Sequence, residues 1–381
     1  MGTDCSPTSS ISRGSSGVPA AVRKETRPVP SSPSPAGDAD SDDLRAAIKI
    51  VARGQSLSQE QSAKAFEAIM SGDATDAQIG ALLMGLHVRG ETVDEIAGAA
   101  RVLRAKALPV KAPEGAIDTC GTGGDAKGTH NISTCVAFVV AGAGVPVAKH
   151  GNKSISSRSG SADVLKALGV NLDCAPETIE RCIAECGLGF MFAPAHHAAM
   201  RHVAKVRGEL GVRTIFNLLG PLANPAGTKY QIVGVFHRKW VEPVAKVLGV
   251  LGVERAWVVH GADGLDELTT TTVSDVAVLD GGQVSTFRIS PLNAGLPDAR
   301  PEDLTGGDAE ENAAHIRAVL QGNAGPLRDI ALLNAAAALL VAGKASTLRD
   351  GVTLAADAID SGKAMAVLDA LVALTNDRVE A

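Results

Sequence analysis

From residue 110 onward, short apolar runs alternate with stretches of helical periodicity, and no other feature of the chain narrows its fold so far. The runs fall at 116–119, 145–148, 231–236, 256–260 and 276–279. That alternation predicts an α/β domain with a mostly parallel sheet flanked by helices. Asp280-Gly281-Gly282 reads as a hairpin turn joining 276–279 to 284–289, an antiparallel insertion. From Asp308 the chain is Ala-rich and helical, and no internal repeat is visible. With 381 residues, 45% of them hydrophobic, there is material for one large domain and a smaller one.

The smaller one precedes the alternation. Leu44, Ala47, Ile48 and Val51 fall at helical spacing. Ser58 with Gln61 forms a capping-box pattern ahead of Ala63, Phe66, Ile69 and Met70. Thr75 opens a helix carrying Ile79, Leu82, Leu83 and Leu86, and Thr92 with Glu95 repeats the capping pattern before Ile96, Ala99, Ala100 and Leu103. Residues 42–109 therefore read as a small all-helical unit, too small to stand alone, whose apolar surface can also serve a dimer contact. Residues 1–41 are rich in Ser, Pro and Gly and nearly free of large apolar residues. Such a segment cannot offset its ordering entropy and is expected to be disordered. It lacks an amphipathic stripe and contains Asp4 and Glu25, so it reads as a solvated tail rather than a targeting signal.

Charge and cysteine usage exclude several classes. A net charge of −6 leaves no basic footprint for a nucleic acid. The longest apolar runs, such as 136–140, are broken by Gly and fall far short of a membrane span. The six cysteines are scattered with no secretory signal ahead of them, which points to a reduced, cytoplasmic setting. Cys182 and Cys186 share a helix, but partners at zinc-binding spacing are missing.

Four segments carry chemistry. In Asp118-Thr-Cys-Gly-Thr-Gly-Gly-Asp125 a strand ends at Thr119, glycines make a sharp turn, and a helix follows over 132–140. Glycines admit an anion to backbone N–H groups, and the helix N-terminus adds its positive end. Thr129, Ser133 and Thr134 can add hydroxyl donors; the bland alternative is a tight turn closed by a Ser/Thr cap. Lys149-His-Gly-Asn-Lys-Ser-Ile-Ser-Ser-Arg-Ser-Gly-Ser161 follows a strand and reads as a flexible, cationic, donor-rich loop suited to a ligand bearing several phosphates, or as an ordinary solvated loop. Asp266-Glu267, after the strand at 256–260, can hold Mg²⁺, or can be the acidic first turn of a helix. His197 to Arg207 reads as a basic amphipathic helix with Met200, Val203 and Val206 in the core. Arg207 on it is either a carboxylate anchor or a surface arginine.

Together the strings GTGGD, NIST, KHGN, SSRSGSADVL, RTIFNLLGPLANP and DGLDE resemble the anthranilate phosphoribosyltransferase family in order and content, over residues 42–375. The resemblance implies a homodimer in the cytoplasm, with a helical domain (42–109 joined by about 195–213) hinged to an α/β domain (110–381). The active site would lie in the cleft between them. It implies transfer of the 5-phosphoribosyl group from phosphoribosyl pyrophosphate to the amine of anthranilate, with Mg²⁺, two ions per subunit. By motif, Gly121, Gly124, Asp125, Thr129, Asn131, Ile132, Ser133 and Thr134 match phosphoribosyl pyrophosphate contacts. So do Lys149, His150, Gly151, Asn152, Lys153, Ser154, Ile155, Ser156, Ser157 and Ser161. Ser133, Asp266 and Glu267 match metal ligands, and Gly121, Asn152 and Arg207 match anthranilate contacts. Lys153 stands where the family more often has Arg, keeping charge but losing a planar fork. Ala198 replaces a common Pro beside His197.

The resemblance also accounts for the lack of a nucleophile or acid–base constellation. Anthranilate brings its own nitrogen nucleophile, so the protein has only to position both substrates and stabilise charge, with Lys149 and the metal foremost. His150 reads as a packing or substrate contact. Two rivals remain: a pyrimidine nucleoside phosphorylase-like enzyme, which needs no Asp-Glu pair, and a non-catalytic nucleic-acid-binding relative, which should be basic.

Overall fold

Paired hydrogen bonds at their first turns define three of the N-terminal helices. The computed structural model describes residues 1–2, 38–125, 127–153 and 158–377, so the expectation of a disordered tail falls largely outside the described residues. Helix α1 (Asp38–Val51) starts four residues ahead of the helical unit expected from residue 42. It is followed by α2 (Gln59–Ser71), α3 (Asp76–Arg89) and α4 (Val93–Ala105). At α2, α3 and α4 the hydroxyl of Ser58, Thr75 or Thr92 accepts from the backbone three residues on. In return, Gln61, Gln78 or Glu95 accepts from the cap's own N–H. Each cap is worth about 1 kcal/mol. The buried Glu95 also accepts the Leu57 N–H at 2.7 Å and pairs with Arg89, tying three helices together.

The alternating region forms β1 (Ile117–Gly121), α5 (Ile132–Gly142), β2 (Val147–Gly151), α6 (Ser161–Ala167), α7 (Pro176–Cys186), β3 (Leu188–Phe192), α8 (Ala193–His196), α9 (Arg201–Leu210), α10 (Phe216–Leu222), β4 (Tyr230–Gly234), α11 (Val241–Val250) and β5 (Arg255–Gly261). An antiparallel pair, β6 (Ser274–Asp280) and β7 (Gln283–Ile289), follows through the expected Gly281-Gly282 turn. Helices α12 (Ala309–Leu320), α13 (Pro326–Val341), α14 (Leu348–Asp360) and α15 (Lys363–Asn376) complete the chain. The sheet runs in the order β3-β2-β1-β4-β5-β6-β7, parallel from β3 through β5. The hairpin extends the sheet at its edge beyond β5 rather than interrupting it.

Strand β3 was not foreseen. Its Leu-Gly-Phe-Met-Phe run follows Gly187, and a second glycine inside it reads as a break. In the fold, Gly189 is what lets α7 lie close, since a Cβ there would fall 2.5 Å from Ile183 and 2.9 Å from Ile179. The helix expected over 197–207 is also broken: α8 ends at His196, a single tight turn covers 198–200, and α9 starts at Arg201.

Two apolar cores flank the sheet. On one side α5, with Phe138 and Val139 fully buried, packs against α13, α14 and α15. On the other, α10 and α11 carry a core that continues without interruption into α1–α4 and α9. Val203 and Val206 of α9 are buried there, with α9 packed on α2 and α3. From Gly37 onward the chain forms one compact unit. Among the described residues no helix is long and apolar enough to cross a membrane.

Candidate active site

The chain reverses its direction of travel across the sheet between β1 and β4, and ligands of open α/β sheets bind outside the carboxyl ends of strands at such a point. Strand β1 runs two residues past the expected end, to Gly121. Gly123 and Gly124 then take left-handed backbone angles, φ 63° and 75°, which a side chain would resist. The turn delivers the chain to α5, whose cap residue Asn131 makes no side-chain capping bond. The Ser133 N–H at that helix end donates instead to Glu267 Oε1 at 3.2 Å. The alternative of a turn closed by its own Ser/Thr cap is thereby replaced: an acidic side chain from another strand's loop occupies the helix N-terminus.

That loop follows β5 and leads into no helix, so Asp266 and Glu267 are not the first turn of one. Asp266 Oδ2 accepts the Gly123 N–H at 2.7 Å. A Cβ at Gly234 would lie 1.5 Å from the Asp266 carbonyl oxygen, and one at Gly121 would lie 2.5 Å from Oδ2, so two glycines at adjacent strand ends make room for this residue. Burial, reinforced by Asp125 nearby, pushes the Asp266 carboxyl up to about 7. Burial and the Asp266 charge push Glu267 well above the carboxylate range. Crowded carboxylates of this kind suit a hard divalent cation. Among the described residues no set of three or more His, Cys, Asp or Glu side chains is arranged to hold a metal alone. The donors fit Mg²⁺, which completes its shell with phosphate oxygens and water.

Lys149 corrects the expectation of a flexible loop from 149 to 161. Strand β2 runs to Gly151, three residues past the apolar run that ends at Ala148, and Lys149 is 2% exposed. Its Nζ donates to the Thr119 carbonyl and, at 3.2 Å, to Ser133 Oγ. Burial pulls its ammonium down, while Asp118, Cys120, Glu267 and Asp266 hold it up. A buried cation in a strand is tolerable because the neighbouring strand and loop supply the opposing charge.

The remaining predicted residues divide. Ser161 Oγ donates to the Asn152 carbonyl at 3.2 Å, so the two ends of the second loop meet. Lys153 lies 5.6 Å from the Phe192 ring centre. Ser154, Ile155, Ser156 and Ser157 lie outside the described residues. Ile132 and Thr134 are buried, leaving mainly their backbone to face the turn, and Thr129 bridges to Thr305. His150 and His197 meet edge to face with centres 5.0 Å apart. Burial and each other's neighbourhood push His150 down to about 3, and burial with His196 pushes His197 down to about 4, so both are neutral near pH 7. Arg207 stands apart: its guanidinium lies 5.4 Å from the Phe216 ring centre, burial lowers its pKa, and among the described residues it has no ion pair.

Three contributors escaped the sequence. Asn224 donates to Asp118 Oδ2 at 2.7 Å and to the Ala148 carbonyl at 2.9 Å, fixing β1 to β2 beneath Lys149. Asn334 grips Leu268, beside Glu267, by both backbone groups, accepting its N–H at 3.0 Å and donating to its carbonyl at 2.8 Å. Arg213 donates to the Gly124 carbonyl at 2.5 Å and lies over the Phe236 ring. A lone Asn inside the apolar helix Asp329-Ile-Ala-Leu-Leu-Asn-Ala-Ala-Ala-Ala-Leu-Leu340 was a legible signal, because a buried carboxamide needs partners.

Residues 45–107 match the helical bundle domain, and residues 113–365 the a/b domain, of a glycosyl transferase family. The anthranilate phosphoribosyltransferase of Azorhizobium caulinodans is 61% identical over 332 residues, covering 87% of this chain and 96% of that protein. The crystal structure of anthranilate phosphoribosyltransferase from Thermus thermophilus superposes with a TM-score of 0.83 at 45% identity, covering 87% of this chain and 99% of that one. The Saccharomyces cerevisiae enzyme in complex with PRPP and Mg superposes at 0.79 with 27% identity, covering 88% and 98%. With both domains of the family matched in order and identity of this degree along nearly all of a relative's length, the chain belongs to the anthranilate phosphoribosyltransferase family.

Proposed function

We propose that this chain transfers the 5-phosphoribosyl group of phosphoribosyl pyrophosphate to the amine of anthranilate, yielding N-(5-phosphoribosyl)anthranilate and pyrophosphate, a step of tryptophan biosynthesis. One observation carries the reading beyond family membership. Lys149, Ser133, the Gly123–Gly124 turn and the Asp266-Glu267 pair converge on the carboxyl ends of β1 and β4. Cation, helix N-terminus and carboxylates together suit a polyphosphate carrying a divalent metal. Mg²⁺ supplies, when bound, the charge that neutralises the departing pyrophosphate.

In this reading Ser133, Asp266 and Glu267 hold the metal, two ions per subunit. Gly121, Gly124, Asp125, Thr129 and residues 131–134, with residues 149–157 and Ser161, hold phosphoribosyl pyrophosphate. Gly121, Asn152 and Arg207 face anthranilate. Lys149 donates to oxygen atoms whose charge grows as the C–O bond breaks. Neutral His150 packs against His197 and serves as no base, since the aromatic amine already carries a free lone pair. The helices of 42–109, with 195–213, form a domain that closes on 110–381, and the protein works as a cytoplasmic homodimer.

Anthranilate fluorescence tests the reaction. Signal should fall when protein, phosphoribosyl pyrophosphate and Mg²⁺ are all present and hold steady when any one is left out. Consumption without phosphoribosyl pyrophosphate, or phosphorolysis of a nucleoside, would overturn the reading.

Arg207 provides a finer check. Stacked on Phe216 and without an ion pair among the described residues, its guanidinium is available to a carboxylate, through charge-assisted hydrogen bonds worth roughly 1.5–3 kcal/mol. Arg207→Ala should raise the anthranilate KM about ten- to a hundred-fold and leave that of phosphoribosyl pyrophosphate nearly unchanged. Equal loss of both affinities, or of neither, would pass the carboxylate role to another residue.

A further inference from the structure

Helix α12 lies outside every segment assigned to substrate, yet it sends one buried side chain into the turn that precedes α5. Asn312 is 1% exposed. Its Oδ1 accepts the Gly307 N–H at 2.8 Å and lies 3.3 Å from His130 Nδ1. Burial, helped by His315, lowers the His130 pKa, so this ring is neutral and meets Oδ1 with an N–H. Two donors thus point the carboxamide oxygen one way, and Nδ2 must face the other.

There Nδ2 donates to Asn131 Oδ1 at 2.9 Å. The same oxygen accepts Ser159 Oγ–H at 3.3 Å, which turns Asn131 Nδ2 toward the Ser159 carbonyl at 3.2 Å. Each orientation dictates the next. The relay begins on α12, passes through the turn before α5 and ends in the loop before α6. A strap reinforces its start: the Gly306 N–H donates to the Gly128 carbonyl at 2.8 Å, and the His130 N–H to the Leu304 carbonyl at 3.3 Å.

We infer that Asn312 is a positioning residue that holds the two phosphate-binding loops in one register, acting through Asn131. The inference rests on the proposed function, because it takes both loops to bind phosphoribosyl pyrophosphate. Loops locked together before binding lose less freedom when the ligand arrives, so the relay lowers the cost of binding that substrate; anthranilate, which meets these loops only through Gly121 and Asn152 in the proposed function, depends on it less.

Asn312→Asp isolates the claim. It keeps the shape and the acceptor facing Gly307 and His130, and replaces the donor facing Asn131 with an acceptor. Titration calorimetry with phosphoribosyl pyrophosphate and Mg²⁺ on the full chain should show affinity weakened about ten- to a hundred-fold. The anthranilate KM at saturating phosphoribosyl pyrophosphate should change far less, because the bound phosphoribosyl pyrophosphate has by then already ordered the loops that carry Gly121 and Asn152. In an Asn131→Ala background, where the relay is already cut, Asn312→Asp should add almost nothing. Unchanged affinity in the single variant, equal loss of both substrates, or an undiminished effect in the Asn131→Ala background would each overturn the inference. If Asn312→Asp does not fold, Ser159→Ala cuts the far end of the relay and carries the same expectations. Failure of the unaltered protein to bind phosphoribosyl pyrophosphate would instead remove the proposed function itself.

Discussion

Replacing Asp266→Asn and Glu267→Gln together is expected to cut turnover by about a hundred-fold or more, while the ligand-free protein melts no lower than the parent. The two effects have one origin. Both carboxyls are held above their ordinary pKa, Asp266 by burial and by Asp125, and Glu267 by burial and by Asp266, so ionising them works against the fold. A group raised in this way contributes stability below its unfolded pKa and loses it as pH climbs through its folded value, which for Asp266 is about 7. At pH 8 the neutral amides should therefore raise the melting temperature, and at pH 5 the difference should shrink. The protein keeps the acids despite that cost, which makes sense when a cation is to bind between them. Full activity of the double variant at limiting Mg²⁺ would end the metal assignment, and a lowered melting temperature at pH 8 would end the electrostatic account.

Lys149→Met should reduce kcat/KM for phosphoribosyl pyrophosphate by about 10²–10³, the range for removing one preorganised donor from a developing anion. Stability should fall as well. Asp118 is fully buried behind Lys149, and loss of the opposing charge leaves burial, already raising its pKa, less opposed. Removing one partner of a buried pair typically costs about 3–5 kcal/mol. Adding Asp118→Asn separates the two roles, since it should recover melting temperature without recovering turnover. Retention of kcat/KM within a few-fold in Lys149→Met would show that its charge does not reach the leaving group. Recovery of turnover by the second change would make Lys149 a structural residue only.

What could be read in advance was local. Ser58, Thr75 and Thr92 announce their helices because each cap is made with a residue three positions on. The Gly281-Gly282 hairpin and the positive-φ glycines at 123 and 124 are likewise marked by the residues of the turn themselves. Lys149 was placed in a loop because a cation reads as solvated until Asp118 and Glu267 are known to stand around it. Strand β3 escaped because its glycine serves α7, which packs on it from outside the strand. Asn224, Asn312 and Asn334 each form bonds to residues between 66 and 182 positions distant, and nothing beside them in the chain marks the partner. The substrate-facing strings were legible, and so was the need of Asn334 for partners; which distant residues the carboxamides hold was not.

The close approach of Gly234 and Gly121 to Asp266 also has a consequence written in codons. Every single-base step away from a glycine codon that changes the amino acid yields one bearing at least a Cβ. At position 234 even that carbon would coincide with a backbone oxygen, and at position 121 it would strike the carboxylate itself. Drift at either place has no conservative first move, and a compensating shift in the Asp266 loop would have to arrive in the same step. This meeting of two strand ends and one acidic loop can change only as a block.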